Sequence, residues 1–299
     1  MLARASDEWQ VGVEPGDALV LRGAGLGPVL EQLDGRHSTA SLREEARAAG
    51  LSHRQVDHAL AALLNAGLLR DRAALPVERP EVRVRLIGAG PIGAQLARLL
   101  AVEPLTGLYV FDDQPPEPRL YPSAGVLATR AQALCSALAS TGTPATSLNH
   151  WSKPDGVTLD LTVIATETPE VDRVITDHLL RMDQPHLLVR SHRRGVCVGP
   201  LVIPGRTSCV RCADLARRDV DPCWPTVLNQ LVRLVRPPSP HLSSWAASVA
   251  AMQTLAHVSG ATTETSGATL EIDGPDFAMR WRSWPVHPGC GCGWSTATD

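Results

Sequence analysis

The pattern of hydrophobic and polar positions changes period at one place, and the rest of the chain is organised around it. Residues 83–87 alternate like a half-buried strand, and apolar residues then recur at helical spacing over residues 94–100. Between them lie Gly88, Gly90 and Gly93, which form a G-x-G-x-x-G turn. A strand that turns through such glycines into a helix is typical of folds that place a phosphate at a helix N-terminus.

A second apolar run supports the same prediction. Residues 107–111 read as a buried strand that ends in Asp112 and Asp113, about 20 residues after the glycines. An acid at this distance commonly binds a ribose hydroxyl. The region therefore predicts a dinucleotide-type fold, although a fold can persist after its ligand has been lost.

Strand-like and helical stretches go on alternating downstream. This alternation predicts an α/β domain with a doubly wound, mostly parallel, Rossmann-like sheet. The predicted strands are 160–166, 186–191, 196–203, 269–272 and 278–284, and the predicted helices are 124–138, 171–182, 227–235 and 243–259.

The N-terminal residues have a different organisation. Short strands within 8–23 precede helices near 27–33 and 42–49, the latter capped by Thr39 or Ser41. Ser52 is expected to cap a longer third helix. The prediction is a small winged-helix-like α+β domain over 1–72, a linker over 73–82 and the α/β domain over 83–299.

Composition and charge exclude several classes of protein. The net charge is −3, and arginines do not outnumber acids in residues 1–70, which argues against nucleic acid as a partner. A winged helix that binds DNA and a purely structural appendage remain alternatives for this module. No apolar run reaches the roughly 20 residues of a membrane span, and a signal peptide is not evident, so we expect a cytoplasmic protein.

Four of the seven cysteines form two tight pairs. Cys209 and Cys212 form a C-x-x-C pair, and Cys290 and Cys292 form a C-x-C pair about eighty residues later. Two such pairs can surround one tetrahedral Zn²⁺, and four protein ligands would make this zinc structural. Unrelated free cysteines and a redox C-x-x-C are the alternatives, and His287 is an alternative ligand.

The N-terminal module resembles a known family. The segments "LDGRHSTASL" and "LLNAGLLRD" are similar to the PqqD-like peptide-recognition module of ribosomal-peptide tailoring systems. The resemblance implies that the leader of a precursor peptide adds as an extra strand beside the helix over residues 54–64, a form of β-augmentation.

Residues 83–299 resemble the ubiquitin-activating-like adenylyltransferases of the ThiF/MoeB group. The resemblance rests on the order of the glycine turn, "ATET", "GPLVIPGRTSCVRC", "AASVAAMQTLAHVSG" and "HPGCGC". It implies binding of MgATP, adenylation of a C-terminal carboxylate and a homodimer. It also implies that Gly88, Gly90 and Gly93 face the phosphates and that Asp112 binds the ribose.

The residues that adenylation requires depart from the family pattern. Only Arg119 can stand for the family arginine, Arg130 replaces the lysine, and Glu167 replaces the magnesium-binding aspartate. The sequence contains a single lysine, Lys153, so a compositional bias towards arginine is enough to explain the exchange at Arg130. These three residues are the catalytic candidates if the protein is active.

A peptide-recognition module fused to such a degenerate domain resembles the partner proteins of YcaO-type cyclodehydratases. The leading hypothesis is therefore a non-catalytic scaffold that binds a leader peptide for azoline-forming modification. An ATP-dependent adenylyltransferase acting on a peptide or sulfur-carrier protein is the alternative. A nicotinamide-dependent oxidoreductase is the third hypothesis, and the paired cysteines disfavour it.

Overall fold

The chain consists of two compact units, Met1–Pro80 and Glu81–Asp299. The structure is a computed structural model and describes residues 1–14, 16, 18–70, 81–103, 105–139, 144–152 and 156–293. The boundary between the units falls within the predicted linker, 73–82, of which all but the last two residues lie outside the described residues.

The first unit contains a three-stranded antiparallel sheet followed by three helices. The strands lie in the order β1-β2-β3, so β3 is an edge strand. Leu21 of β3 packs with Val56, Leu60 and Leu63 in the core of this unit. The elements are β1 (Leu2–Ala5), β2 (Glu8–Val11), β3 (Leu19–Arg22), α1 (Leu26–Glu31), α2 (Thr39–Ala48) and α3 (His53–Asn65).

Local side-chain hydrogen bonds define where these helices begin. At α3, Ser52 Oγ accepts a hydrogen bond from the Gln55 amide, and the Ser52 amide donates to Gln55 Oε1 at 2.9 Å, which completes a capping box. The predicted cap at Ser52 is confirmed. At α2 the prediction was wrong, because the cap is Ser38, whose Oγ accepts from the Ser41 amide at 3.1 Å.

The second unit is built on one eight-stranded sheet. Its strand order is β11-β10-β9-β8-β7-β4-β5-β6. The five strands from β6 to β8 are parallel, and β9, β10 and β11 add antiparallel strands at one end. The strands are β4 (Arg83–Ile87), β5 (Gly107–Phe111), β6 (Ala145–Ser147), β7 (Leu161–Ala165), β8 (His186–His192), β9 (Gly195–Val202), β10 (Ala268–Asp273) and β11 (Ala278–Ser283).

Helices cover both faces of this sheet, which confirms the predicted mixed α/β fold. On one face, Leu96 and Leu100 are fully buried and each contributes about 2 kcal/mol of hydrophobic stabilisation. On the other face, Leu179 and Val210 pack on the sheet. The helices are α4 (Pro91–Ala101), α5 (Arg130–Ala139), α6 (Arg173–Arg181), α7 (Val210–Val220), α8 (Trp224–Leu231) and α9 (Pro240–Val258).

The largest differences from the sequence prediction concern three helices. Helix α5 begins at Arg130 rather than near residue 124, and α8 begins at Trp224 because Pro225 is tolerated in a first turn. Helix α7, whose N-cap is Cys209, was not predicted from the sequence. Among the helices of the described part of the chain, none has both the length and the apolar character needed to cross a bilayer.

Candidate functional site

The glycine turn brings β4, β7 and the start of α4 into close contact. Gly88 has φ +99°, and a Cβ there would lie 2.0 Å from the Ala165 carbonyl oxygen. A Cβ at Gly93 would lie 1.9 Å from the Gly88 carbonyl oxygen. Both positions therefore require glycine, as expected where a helix N-terminus packs tightly on a sheet.

The acids after β5 have different environments. Asp112 is buried, and its two carboxylate oxygens accept hydrogen bonds from the Ala89 amide at 2.7 Å and the Gln114 amide at 2.9 Å. Burial raises the pKa of Asp112, and these two hydrogen bonds only partly oppose that rise. Asp113 is exposed. Asp112 thus fixes the glycine turn, and its assignment to a ribose stays a prediction.

Arg130 is shared among three carboxylates. Its Nη1 lies 2.8 Å from Glu167 Oε1 and 3.8 Å from Asp112 Oδ2, and its Nη2 bonds Glu117. The structure thus brings together two of the three catalytic candidates, Arg130 and Glu167. Glu117, which the sequence analysis did not single out, is the additional partner.

Burial and the neighbouring charges together shift the pKa values in this cluster. Burial alone would lower the pKa of Arg130, but Glu167, Asp112 and Glu117 raise it above its ordinary value. Burial raises the pKa of Glu167, and Arg130 only partly opposes this. One guanidinium therefore does not neutralise all the carboxylates around it.

A cavity of about 330 Å³ lies beside this cluster, within the range of small-molecule sites. Val232 and Val235 contribute to its apolar part, and its polar part is formed by Gly88, Gly90, Asp112, Asp113, Arg130 and Glu167. Arg119 is exposed on the turn after Glu117 and does not line the cavity. Its role as a catalytic arginine stays a prediction.

A second charged cluster holds the loop that carries Glu167, and sequence analysis missed it. Glu170, almost fully buried, pairs with Arg190 at 2.7 Å and Arg173 at 2.8 Å and lies 3.4 Å from Arg217. Arg173 also makes two hydrogen bonds with Asp214, at 2.6 and 2.8 Å. Sequence spacing does not show that these residues meet, because they lie on three separate segments of the chain, at 170–173, 190 and 214–217.

The four predicted metal ligands lie together. The Sγ atoms of Cys209, Cys212, Cys290 and Cys292 all lie within 4.8 Å of one another. The shorter distances are 3.3 Å for Cys212–Cys292, 3.4 Å for Cys209–Cys290 and 3.9 Å for Cys209–Cys212. A tetrahedral site with Zn–S bonds of about 2.3 Å has sulfur atoms about 3.8 Å apart, so the cluster fits such a metal.

Burial favours the neutral, protonated form of two of these thiols, so a bound metal would have to displace their protons. Burial raises the pKa of Cys209 above its ordinary value and raises that of Cys290 to about 12. His287 is not part of the cluster, because its Nδ1 accepts from the Gly289 amide at 3.0 Å and its Nε2 bonds Asp219 at 2.8 Å. The arrangement is a cluster of four cysteines that could bind a metal.

The first unit has a groove beside its edge strand. Val20 and Arg22 of β3 form one wall, and Arg54 and His58 of α3 form the other, around a volume of about 420 Å³. Arg54 and His58 are exposed, and the Arg22 side chain is 79% exposed although it bonds Glu8 at 2.5 Å. An unpaired sheet edge beside a helix is a surface on which an extended peptide can bind.

Comparison with solved structures places the architecture of the chain in a known context. The whole chain is similar to E. coli MccB with ATP, at a TM-score of 0.66 and 14% identity over 97% of this chain and 96% of that one. E. coli MccB with AMPCPP and MccA has a TM-score of 0.68 and 13% identity, over 97% of this chain and 96% of that chain. PaaA has a TM-score of 0.67 and 16% identity, over 95% of this chain and 97% of that chain.

These comparisons support the expected ThiF/MoeB-like adenylyltransferase fold. At such identities the likeness concerns the fold and says nothing about activity. Comparison of the sequence with protein-family models and with curated proteins finds no match.

Proposed function

We propose that the protein binds the leader segment of a ribosomally made precursor peptide and presents it to a modifying enzyme. The observation that carries this proposal is the groove between the edge strand β3 and helix α3. A peptide strand added to β3 would gain main-chain hydrogen bonds, and its alternate side chains would enter the groove. Arg54 at the rim favours a leader with acidic residues, and Arg22 beside it, although paired with Glu8, remains exposed.

The proposed role is that of a scaffold without adenylating activity. A carboxylate that attacks the α-phosphate of ATP needs cationic groups to stabilise the developing charge. Arg130 is already paired with Glu167 and Glu117, and Arg119 stands outside the cavity. We propose a YcaO-type cyclodehydratase as the enzyme that receives the peptide, a cytoplasmic location and a homodimeric state.

Several similar structures support a link to peptide modification. MccB is a microcin C7 biosynthetic enzyme and was solved with N-formylated MccA, in a structure that has a TM-score of 0.66 and 13% identity with this chain. We propose zinc as the metal of the four-cysteine cluster, in a structural role that joins residues near the C-terminus to α7.

An active ATP-dependent adenylyltransferase is the second candidate. The glycine turn, Asp112 and a cavity of about 330 Å³ favour it, because these parts of a nucleotide site are all present. In that case Glu167 would hold magnesium and Arg130 would contact the phosphates.

The proposal is tested by fluorescence anisotropy with labelled leader segments of candidate precursor peptides. We expect Arg54→Glu in the full chain to weaken binding at least about tenfold, since it reverses a charge at the groove. Arg47→Glu is the matched control, because Arg47 is exposed on α2 and does not line the groove. Equal affinities for the two variants would contradict the proposed binding surface.

A further inference from the structure

The Glu167 carboxylate lies against the second glycine of the turn. A Cβ at Gly90 would lie 2.0 Å from Glu167 Oε1 and 3.3 Å from Arg130 Nη1. In dinucleotide folds this glycine lacks a side chain so that the backbone can approach a pyrophosphate. Here the space over Gly90 is filled by a carboxylate of the protein itself.

This position is also the N-terminal end of a helix. Gly90 is the N-cap of α4 and provides no side-chain cap, and Pro91 has no amide N–H, so the partial positive charge of this helix end rests on the amides that follow Pro91. An anion is stabilised at such a place. A carboxylate beside Gly90 meets the same local field that a phosphate would meet.

Two sets of contacts hold Glu167 there. Its side chain bonds Arg130 at 2.8 Å, and its carbonyl oxygen accepts a hydrogen bond from the Arg236 amide at 2.6 Å. The next residue, Thr168, donates through Oγ1 to the Glu170 carbonyl at 2.8 Å. Because Glu170 is itself fixed by arginines, the backbone of the loop cannot easily carry Glu167 away from the turn.

We infer that Glu167 is a built-in occupant of the phosphate position and excludes nucleoside polyphosphates from the cavity. A polyphosphate would have to displace this carboxylate and would then face Asp112 and Asp113 with one guanidinium that other acids already share. The inference rests on the proposed non-catalytic function. In this role Glu167 opposes nucleotide binding. A magnesium ligand would have the opposite role, because its removal would weaken the binding of MgATP.

The test is isothermal titration of the full chain with ATP and Mg²⁺. We expect weak or undetectable binding to the natural sequence and at least about tenfold tighter binding to Glu167→Ala, a gain that corresponds to about 1.4 kcal/mol. Glu167→Gln should lie between them, because its amide fills the same space without the charge. Glu264→Ala is the control, since Glu264 is exposed and does not line the cavity.

Two results would overturn the inference. One is tight MgATP binding by the natural sequence that Glu167→Ala weakens, and the other is no gain in either Glu167 variant. Should Glu167→Ala fail to fold, Glu167→Gln decides, because its shape is nearly unchanged. Anisotropy with the leader peptides on the same samples separates this inference from the proposed function, since peptide binding does not depend on the outcome at Glu167.

Discussion

Cys209 and Cys290 are 81 positions apart in the chain, yet their Sγ atoms lie 3.4 Å apart. Cys209 is the N-cap of α7, and Cys290 follows the last strand of the sheet. A metal at this point would therefore join the end of the described chain to the helix that carries Asp214 and Arg217.

We predict one zinc ion per chain, measured by plasma mass spectrometry on the purified protein. Cys212→Ser and Cys292→Ser should lose the metal, and a loss of about 3 kcal/mol would lower Tm by roughly 10 °C for a domain of this size. Cys223→Ser is the control, because Cys223 is exposed and outside the cluster. Full stability of the two cluster variants without metal would refute a structural zinc.

The buried Glu170 predicts a dependence of stability on pH. Burial alone would raise its pKa, but Arg190, Arg173 and Arg217 lower it to about 2 from an ordinary 4.5. The stabilisation, on the order of 3 kcal/mol, is therefore present above about pH 4.5 and is lost as the pH falls towards 2.

Urea unfolding of Glu170→Gln tests this dependence. At pH 7 the variant should lose about 3–5 kcal/mol, because buried Arg190 loses the carboxylate it pairs with and Arg173 and Arg217 keep only Asp214, and its difference from the natural sequence should shrink at pH 3. Glu264→Gln should show no loss at either pH, since Glu264 is exposed. A difference that stays constant between pH 7 and pH 3 would contradict the assigned pKa.

Two glycines of the turn should respond differently to alanine. In Gly93→Ala the new Cβ meets the backbone oxygen of Gly88, which cannot move without disturbing the turn, so we expect a loss of about 1–3 kcal/mol. In Gly90→Ala the Cβ meets the side chains of Glu167 and Arg130, which can shift only by disturbing their ion pair, so we expect a loss that is smaller than for a clash with the backbone. Calorimetric melting of both variants checks this order, and equal losses would show that the carboxylate is as rigid as the backbone.

The mode of peptide binding also has a measurable signature. If the leader adds as a strand beside β3, alanine substitution along the peptide should weaken binding at every second position, because alternate side chains face the groove. Anisotropy titrations of the substituted peptides would show this period. Sensitivity at every third or fourth position would indicate a bound helix and would contradict β-augmentation.

Local chemistry explains which features could be predicted from the sequence. The capping box at Ser52 and Gln55 and the turn with Gly88 and Gly93 depend on residues a few positions apart, so their patterns are visible in the sequence. The cysteine pairs were recognisable because metal ligands have characteristic spacings. Each of these features follows from short-range geometry.

Other features depend on contacts that the sequence does not display. The carboxylate that pairs with Arg130 Nη2 is Glu117, whereas Arg119, only two residues further on, does not line the cavity. Glu170 and Arg190 meet only because β7 and β8 are neighbours in the sheet. Such pairs become apparent only once strand order is known.

The most direct test of the account is ATP–pyrophosphate exchange by the full chain after saturation with a bound precursor peptide. The account predicts exchange at the background rate, with no change in Arg130→Ala, because the groups that would stabilise the α-phosphate are engaged with Glu167 and Glu117. Robust peptide-dependent exchange that Arg130→Ala abolishes would contradict it and establish an active adenylyltransferase.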